Sequence, residues 1–416
     1  MTKEEKSWIL YDVANSAFTL IIVTAIMPIF FKSFACKGIS GAESTALWGY
    51  GNSAASLIVA VLAPILGTFA DYKNNKKRFF IFFATMGIVF TFMLSSATEG
   101  NWLYALLIYG LGVIGYSGSN VFYDSFLVDV TSHKKMNRLS ASGYAWGYIG
   151  STIPFIACIA LIMLGKKTGN SVLMTRLAFI VTGIWWLAFT IPAIRNLKQK
   201  YCIPPSSRPV RDSFARLFET FRRVKKHRQA FLFMLAYFFY IDGVYTVIKM
   251  AVPYGEDIGL SPGQLMTIVL AIQFVAFPFA LLYGKLAEKY SAKKMLFAGI
   301  GIYIIITIVG FIIPSLESKT LKLAFFWTMA MLVATSQGGI QSLSRSFFAQ
   351  IIPKCKSAEF FGFYNIFGKF AAILGPLLMG FAIQLTGNSK YGILSLIMLF
   401  IAGAAILSRI KVEESK

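Results

Sequence analysis

The chain has 416 residues, of which 56% are hydrophobic and only 14% are charged. A soluble protein of this length exposes far more charge, so the composition excludes that class and indicates a membrane protein. The formal net charge of +22 would suit a nucleic-acid-binding protein, but the distribution of Lys and Arg along the chain argues against it.

Long apolar runs recur along the whole sequence, and each can cross a hydrocarbon core of about 30 Å as a helix. They are continuous rather than alternating segments of about ten residues, which excludes a membrane β-barrel. The predicted spans are residues 8–31, 47–70, 79–97, 102–128, 140–164, 173–194, 230–253, 263–287, 295–314, 322–349, 358–385 and 391–408.

The basic residues fix the predicted orientation. If both termini are cytoplasmic, 28 of the 40 Lys and Arg residues lie on inner segments and 6 lie on outer loops. This positive-inside bias predicts a multi-pass protein of the cytoplasmic (inner) membrane with both termini in the cytoplasm.

The first span contains a carboxylate near its start. Asp12 lies in the first turn or so, within helical reach of Asn15. Its shallow depth suits a cytoplasmic gate or the inner end of a cavity. Alternatively, the positive end of the helix dipole stabilises it.

Both halves of the chain carry the same loop. The pattern G-x-x-A-D-(x4)-K-K at residues 67–77 recurs as G-x-x-A-E-(x4)-K-K at residues 284–294, shifted by 217 residues. Such a duplication predicts an all-α membrane protein with 12 transmembrane helices in two pseudo-symmetric six-helix bundles. The bundles are residues 1–195 and 230–416, joined by a basic cytoplasmic linker at residues 196–229. A duplicated bundle of this kind is typical of a transporter.

Span 4 carries Asn120 and Asp124 on one face, and span 10 carries Gln341 and Arg345 at the same spacing. Under the 217-residue shift Asp124 corresponds to Gln341. We predict a salt bridge between Asp124 and Arg345 when the cytoplasmic side is closed, acting either as a gate or as a static contact.

Residues 211–228 of the linker place Phe214, Leu217, Phe218 and Phe221 on one helical face, with basic residues largely around it. This pattern predicts either an amphipathic helix on the inner leaflet, attracted by anionic lipid, or a solvated basic linker.

The duplicated loop resembles the signature loop of the major facilitator superfamily. That resemblance implies a central cavity between two six-helix bundles. It also implies that Asp71 caps a helix of the opposite bundle, with basic residues of the loop reaching Asp129 at the end of span 4. Residues 8–18, 140–150 and 242–244 resemble the vacuole-effluxer branch (autophagy amino-acid effluxers), whose fungal members export amino acids from vacuoles. The chain is identified as a bacterial-type member of that branch.

Two further ionisable groups lie at similar depths inside spans, where a charge is costly. Asp242 in span 7 and Lys369 in span 11 lie about 18 Å and about 16 Å from the predicted inner ends. They could hold the opposite charges of a zwitterion, or they could pair with each other or with polar neighbours and stabilise the second bundle.

These patterns predict a secondary active transporter, not an enzyme, that moves a small polar solute by alternating access. An amino acid or related zwitterion is the first candidate. The alternatives are a lipid or amphiphile transporter of the same fold and a non-transporting membrane sensor or scaffold. We expect a functional monomer with a small-molecule substrate, H⁺ or Na⁺ as a possible coupling ion, contacts to membrane lipids, no nucleic acid, no cofactor and no metal.

The candidate site residues form two groups. The substrate-binding or coupling candidates are Asp12, Asn15, Asn120, Asp242, Asn365 and Lys369. The gating or interdomain candidates are Asp71, Lys76, Lys77, Arg78, Asp124, Asp129, Glu288, Lys293, Lys294, Gln341 and Arg345.

Overall fold

The computed structural model describes residues 1–204, 209–222, 227–371, 373–387 and 389–411. These residues form helices and no strand, apart from one isolated backbone pair between Tyr72 and Ile203. Twelve helices among them are long and apolar enough to cross a membrane. The predicted all-α fold with twelve spans is therefore confirmed.

In chain order, spans 1 to 12 are Lys3–Ala35, Glu43–Ala70, Asn75–Ser96, Trp102–Val130, His133–Thr168, Ser171–Asn196, Arg228–Ala251, Gln264–Tyr290, Ala292–Ser315, Lys319–Ile351, Lys354–Thr386 and Lys390–Ser408. One more helix, Pro209–Arg222, lies between spans 6 and 7, and we call it the linker helix. We call the membrane side that holds residues 71–74 the loop end.

Span 1 begins five residues earlier than the sequence predicts. Thr2 and Glu5 form a reciprocal cap, with the Glu5 amide donating to Thr2 Oγ1 at 3.1 Å and the Thr2 amide donating to Glu5 Oε2 at 2.9 Å. Asp12 is therefore about 13 Å from the helix start. The helix-dipole explanation for Asp12 is wrong, because the dipole acts only within the first turn.

Span 11 is interrupted. It consists of a helix over Ser357–Phe370 and a second helix over Leu374–Thr386, where the sequence predicts one continuous span. Pro376 explains the break, because it has no N–H for the carbonyl four residues earlier and its ring collides with that carbonyl. Within the first turn of a new helix the same proline is tolerated.

The two halves keep a constant register only as far as span 4. Span 3 begins 217 residues before span 9, but span 5 begins 221 residues before span 11. Span 4 has 29 residues and span 10 has 33, which accounts for the difference. Counted from the loop end, Asp124 therefore corresponds to Arg345, whereas counted from the other end of span 4 it corresponds to Gln341.

The chain folds as two compact units. The first contains Met1–Thr131, Trp146–Phe218 and Lys354–Phe363, and the second contains Ser132–Ala145, Glu219–Pro353 and Tyr364–Lys416. Each unit thus includes the first turns of one span whose remainder belongs to the other unit. The division of the chain at residues 195 and 230 stays a prediction.

Each unit is tied internally by a tyrosine–serine hydrogen bond. Tyr11 Oη donates to Ser119 Oγ at 2.7 Å between spans 1 and 4 of the first unit. Tyr240 Oη and Ser344 Oγ are 2.6 Å apart between spans 7 and 10 of the second. All four side chains are buried, so these hydroxyls satisfy one another in the apolar interior.

Candidate functional site

Asp71 ends span 2 and caps the helix that begins span 11. Its Oδ1 accepts the Ala358 amide at 2.9 Å and its Oδ2 accepts the Glu359 amide at 3.0 Å. Gly67 allows this approach, because a Cβ there would collide with the Ala358 carbonyl. Complete burial raises the pKa of Asp71 from 3.8 to about 7, although the charge of Lys76 and the two amide bonds act in the opposite direction.

Lys76 lies in the same loop as Asp71, which we call the signature loop (residues 67–77), and it forms a buried ion pair. Its Nζ lies 2.7 Å from Asp129 Oδ2, and both side chains are completely buried. The same Nζ donates to Ser357 Oγ at 2.8 Å, on the helix that Asp71 caps. The ammonium is thus shared between the end of span 4 and the beginning of span 11. An ion pair at this burial needs such additional bonds to offset its desolvation.

The segment after span 6 supplies the other bonds to Asp129. Asp129 Oδ1 accepts the amides of Lys200 and Tyr201 at 2.8 and 2.9 Å. The carboxylate therefore joins the signature loop to the linker through separate oxygen atoms. Charged acceptors make the stronger class of hydrogen bond, so this junction holds the linker firmly.

The linker also runs along the signature loop itself. Gln199 Nε2 donates to the carbonyl oxygens of Ala70 and Asp71 at 3.2 and 3.3 Å, and its Oε1 accepts the Lys76 amide at 3.3 Å. The Ile203 amide donates to the Asp71 carbonyl at 2.8 Å. These bonds satisfy the backbone groups where span 2 ends and span 3 begins.

The second copy of the loop has different contacts. Gly284 packs closely against the beginning of span 5, as Gly67 does against span 11. Glu288, however, is exposed, whereas the corresponding Asp71 is buried. Lys293 Nζ donates to two carbonyl oxygens near the end of span 12, at 3.0 and 2.7 Å, and Lys294 is exposed.

Arg345 of span 10 binds the beginning of span 5 in the second unit. Its Nε donates to Ser140 Oγ at 2.9 Å and its Nη2 to the Ser140 carbonyl at 3.1 Å. The guanidinium lies 4.6 Å from the ring centre of Tyr144. The Oγ of the next residue, Ser346, donates to Asn137 Oδ1 at 2.7 Å, one turn before Ser140 in span 5.

The other gating candidates are less deeply placed. Lys77 is half-buried and Arg78 is exposed, so Lys76 alone of the three neighbouring basic residues forms the Asp129 ion pair among the described contacts. Asp124 and Gln341 are half-buried. Asp124 belongs to the first unit and Arg345 to the second, and the salt bridge between them stays a prediction.

In the first unit, the polar candidates of spans 1 and 4 meet. Asn15 Nδ2 donates to Asn120 Oδ1 at 3.0 Å. Asn15 is 5% exposed and Asp12 is 7% exposed, so both lie within the packed helices. The amide pair joins the two spans near the Tyr11 bond and leaves further donor and acceptor capacity on each side chain.

In the second unit, Asp242 lies at the interruption of span 11. Its Oδ1 accepts the amide of Gly375, in the first turn of the helix Leu374–Thr386, at 3.0 Å, and the Thr246 hydroxyl at 3.4 Å. A side chain at position 375 would collide with the Thr246 hydroxyl. Asp242 is completely buried, and its Oδ2 has no hydrogen-bond partner among the described residues.

Two ammonium groups accompany this carboxylate. Lys249, two turns after Asp242 in span 7, is exposed and lies close enough to both Asp242 and Lys369 for their charges to interact. Lys369 and Asn365 are half-buried on the helix Ser357–Phe370, with Lys369 in its last turn, where the helix dipole favours a cation. The cluster contains two basic residues and one acidic residue.

The sequence reasoning did not identify Gly375, Lys249 or Gln199 as site residues. The Gly375-Pro376 pair inside an apolar span was the available signal for the broken helix. Lys249 was visible as a charge inside a span. Nothing in the sequence marked Gln199, whose contacts depend on the folding of the linker against the loop. No cluster of His, Cys, Asp or Glu suited to a metal ion occurs among the described residues.

Comparison with known proteins gives a consistent result. A family profile described as "Vacuole effluxer Atg22 like" matches residues 1–416. An "Uncharacterized MFS-type transporter YxiO" of Bacillus subtilis is 50% identical, covering 100% of this chain and 96% of its own. "Autophagy-related protein 22" of Yarrowia lipolytica is 25% identical, covering 67% of this chain and 51% of its own.

Among solved structures, the major facilitator superfamily proton:xylose symporter XylE superposes with a TM-score of 0.72. The match covers 98% of this chain and 94% of that one, at 12% sequence identity. At this identity the likeness establishes the fold and carries no information about the substrate.

Proposed function

The chain belongs to the Atg22-like vacuole effluxer family of the major facilitator superfamily and is a transporter, not an enzyme, and we propose that it moves an amino acid or related zwitterion by alternating access. The observation that carries the choice of substrate is the buried Asp242 carboxylate, with Lys249 two turns further along the same helix and Lys369 in the last turn before the interruption of span 11. The resemblance to fungal amino-acid effluxers supports the same class.

The charge pattern suits a zwitterion better than an ion of one sign. The Asp242 Oδ2 atom has unused acceptor capacity and would take the substrate ammonium. Lys249 and Lys369 would take the substrate carboxylate. Because a buried charge is costly without a partner, a substrate ammonium at Oδ2 would stabilise the Asp242 carboxylate.

The interrupted helix supports a binding role for this position. Broken membrane helices place the polar ends of half-helices next to substrates and ions in other transporters. Here Asp242 Oδ1 holds the amide of the second half-helix, so the carboxylate is fixed in place while the buried Oδ2 keeps its acceptor capacity. A fixed group binds its ligand without losing side-chain entropy.

We propose that the signature loop and Arg345 act as gates. The contacts of Asp71, Lys76 and Asp129 hold the beginning of span 11 in the first unit, and Arg345 holds the beginning of span 5 in the second. Releasing these helix ends would free each to move with the unit that holds the rest of its span. Asp124 and Arg345 occupy corresponding positions, which supports an additional bridge between them.

We propose that the loop end faces the cytoplasm, with the chain working as a monomer in the cytoplasmic membrane and H⁺ or Na⁺ as the coupling ion. The excess of basic residues on the loop-end segments supports this orientation.

Exchange of labelled amino acids in proteoliposomes tests the function. Asp242→Asn is the decisive variant, because Asn can still accept the Gly375 amide and so preserves the cap while it removes the charge. We expect at least a tenfold loss of exchange. The helix that contains span 7 runs on to Asp257, and Glu256 is exposed near its end. Glu256→Gln makes the same charge change there and should leave exchange intact.

If Asp242→Asn exchanges amino acids as fast as the parent protein, the assignment of Asp242 to the substrate site is wrong. Absence of exchange for every amino acid would contradict the substrate class. Lipid scrambling by the same vesicles would then support an amphiphile transporter, and tight binding of another membrane protein without transport would support a sensor.

A further inference from the structure

The linker helix is fixed against the loop end of span 2. Arg216 Nη2 donates to the Thr68 carbonyl at 2.7 Å, and its guanidinium lies 4.6 Å from the ring centre of Tyr72. The rings of Phe69 and Phe214 are 6.5 Å apart. Thr68 and Phe69 belong to the last turn of a membrane span that ends at Ala70. The linker helix therefore lies at the level where span 2 leaves the hydrocarbon.

Part of the linker helix reverses the pattern of an ordinary surface helix, because a serine and an arginine face the protein while a phenylalanine is exposed. Ser213 is completely buried and Arg216 is directed to the protein. Phe214 is 41% exposed, and Arg211 and Ala215 are exposed beside it. A helix in water would turn its aromatic side chain inward and its polar ones outward. This arrangement suits a helix whose outer side meets lipid.

The charge of the segment points to the same surroundings. Residues 196–229 contain ten Lys and Arg residues and only two acidic ones. Basic segments next to membrane spans are attracted to anionic leaflets, and an aromatic side chain beside them enters the boundary between headgroups and acyl chains.

We propose that the exposed side of the linker helix binds anionic phospholipid headgroups, with Phe214 at the acyl boundary and Arg211 beside a phosphate. The proposal is independent of which solute the transporter moves. Through Arg216, Tyr72 and the bonds of Gln199 and Ile203, the bound helix is joined directly to the signature loop.

A fluorophore on the exposed side of the helix tests the binding. Ala215→Cys is introduced in a variant without the four native cysteines and labelled with an environment-sensitive dye. The protein is placed in phosphatidylcholine nanodiscs containing a small fraction of either spin-labelled phosphatidylglycerol or spin-labelled phosphatidylcholine. The ratio of quenching by the two lipids measures the preference for the anionic headgroup.

We expect a ratio well above one that falls at high salt. Arg211→Gln should reduce the preference about fivefold, since one basic residue near the surface contributes about that factor, and Arg211→Lys should restore it. Lys6→Gln removes one charge from an exposed site on the same membrane side and should leave the ratio unchanged.

Equal quenching by the two lipids in the parent protein would overturn the proposal. So would an unchanged ratio in Arg211→Gln. Equal losses in Arg211→Gln and Lys6→Gln would also overturn it, because the preference would then belong to the whole charged surface and not to the helix.

Discussion

Replacing Asp71 by Ala should release the beginning of span 11 from the first unit. The carboxylate makes two amide bonds, at 2.9 and 3.0 Å, to the first turn of that helix. Loss of a capping side chain costs about 1 kcal/mol on average and up to about 2 kcal/mol, and a charged acceptor in a buried site belongs at the upper end. A change of about 2 kcal/mol corresponds to an increase of about 30-fold in the released population.

Cysteine accessibility measures that population. Ala358 has 0% exposure, so Ala358→Cys in a variant without native cysteines is protected while the cap is formed. A membrane-impermeant maleimide added from the loop end should label Asp71→Ala about 30 times faster than the parent. Asp71→Asn, which keeps one of the two acceptor oxygens, should give a rate between those of Asp71→Ala and the parent.

Glu288→Ala is the matched control, because Glu288 holds the corresponding place in the second loop but is exposed. Its labelling rate should equal that of the parent. If Asp71→Ala leaves the rate unchanged, or if Glu288→Ala raises it equally, the cap does not hold the helix.

Three other predictions concern the Asp71 cap, the Lys76–Asp129 ion pair and the Gly375–Thr246 contact. The pKa of Asp71 is about 7 in the capped state and 3.8 for the free group, so between these pH values the capped state binds more protons than the released state. Lowering the pH through 7 should therefore favour the capped state and slow the labelling of Ala358→Cys. Asp71→Asn has no titrating group at this position and is the control for this pH dependence. Lys76→Met leaves the Asp129 charge buried and should lower stability by about 3–5 kcal/mol in detergent unfolding, whereas Lys76→Met with Asp129→Asn should recover most of the loss. Gly375→Ala should abolish solute exchange through its collision with Thr246, and adding Thr246→Ala should restore it in part; no rescue would contradict the packing argument.

The spans and the signature loop were predictable because each depends on local sequence. A run of apolar residues must become a helix in lipid, wherever its neighbours lie. The choice of Lys76 over Lys77 and Arg78 was not predictable in this way. It depends on which stem points toward Asp129 and Ser357 after span 11 has packed against the loop.

The linker illustrates a different limit. Its hydrophobic periodicity identified a helix, which the structure has over Pro209–Arg222. Periodicity assigns the apolar face to the protein or to the membrane equally well, and the contacts of Arg216 with Thr68 and Tyr72 show only which side chain meets the protein. Arg223, Lys225 and Lys226, which the same pattern included, lie outside the described residues.

The four extra residues of span 10 make the correspondence between the two repeats depend on the end from which it is counted. Four residues are close to one helical turn, so the difference keeps side chains on nearly the same face while it shifts their height by about 6 Å. Counted from the start of span 4, Asp124 corresponds to Gln341, and counted from the loop end it corresponds to Arg345, a charge of opposite sign. Gln341 and Arg345 lie on the same face of span 10, so helical periodicity identifies the face of the corresponding residue but not its height.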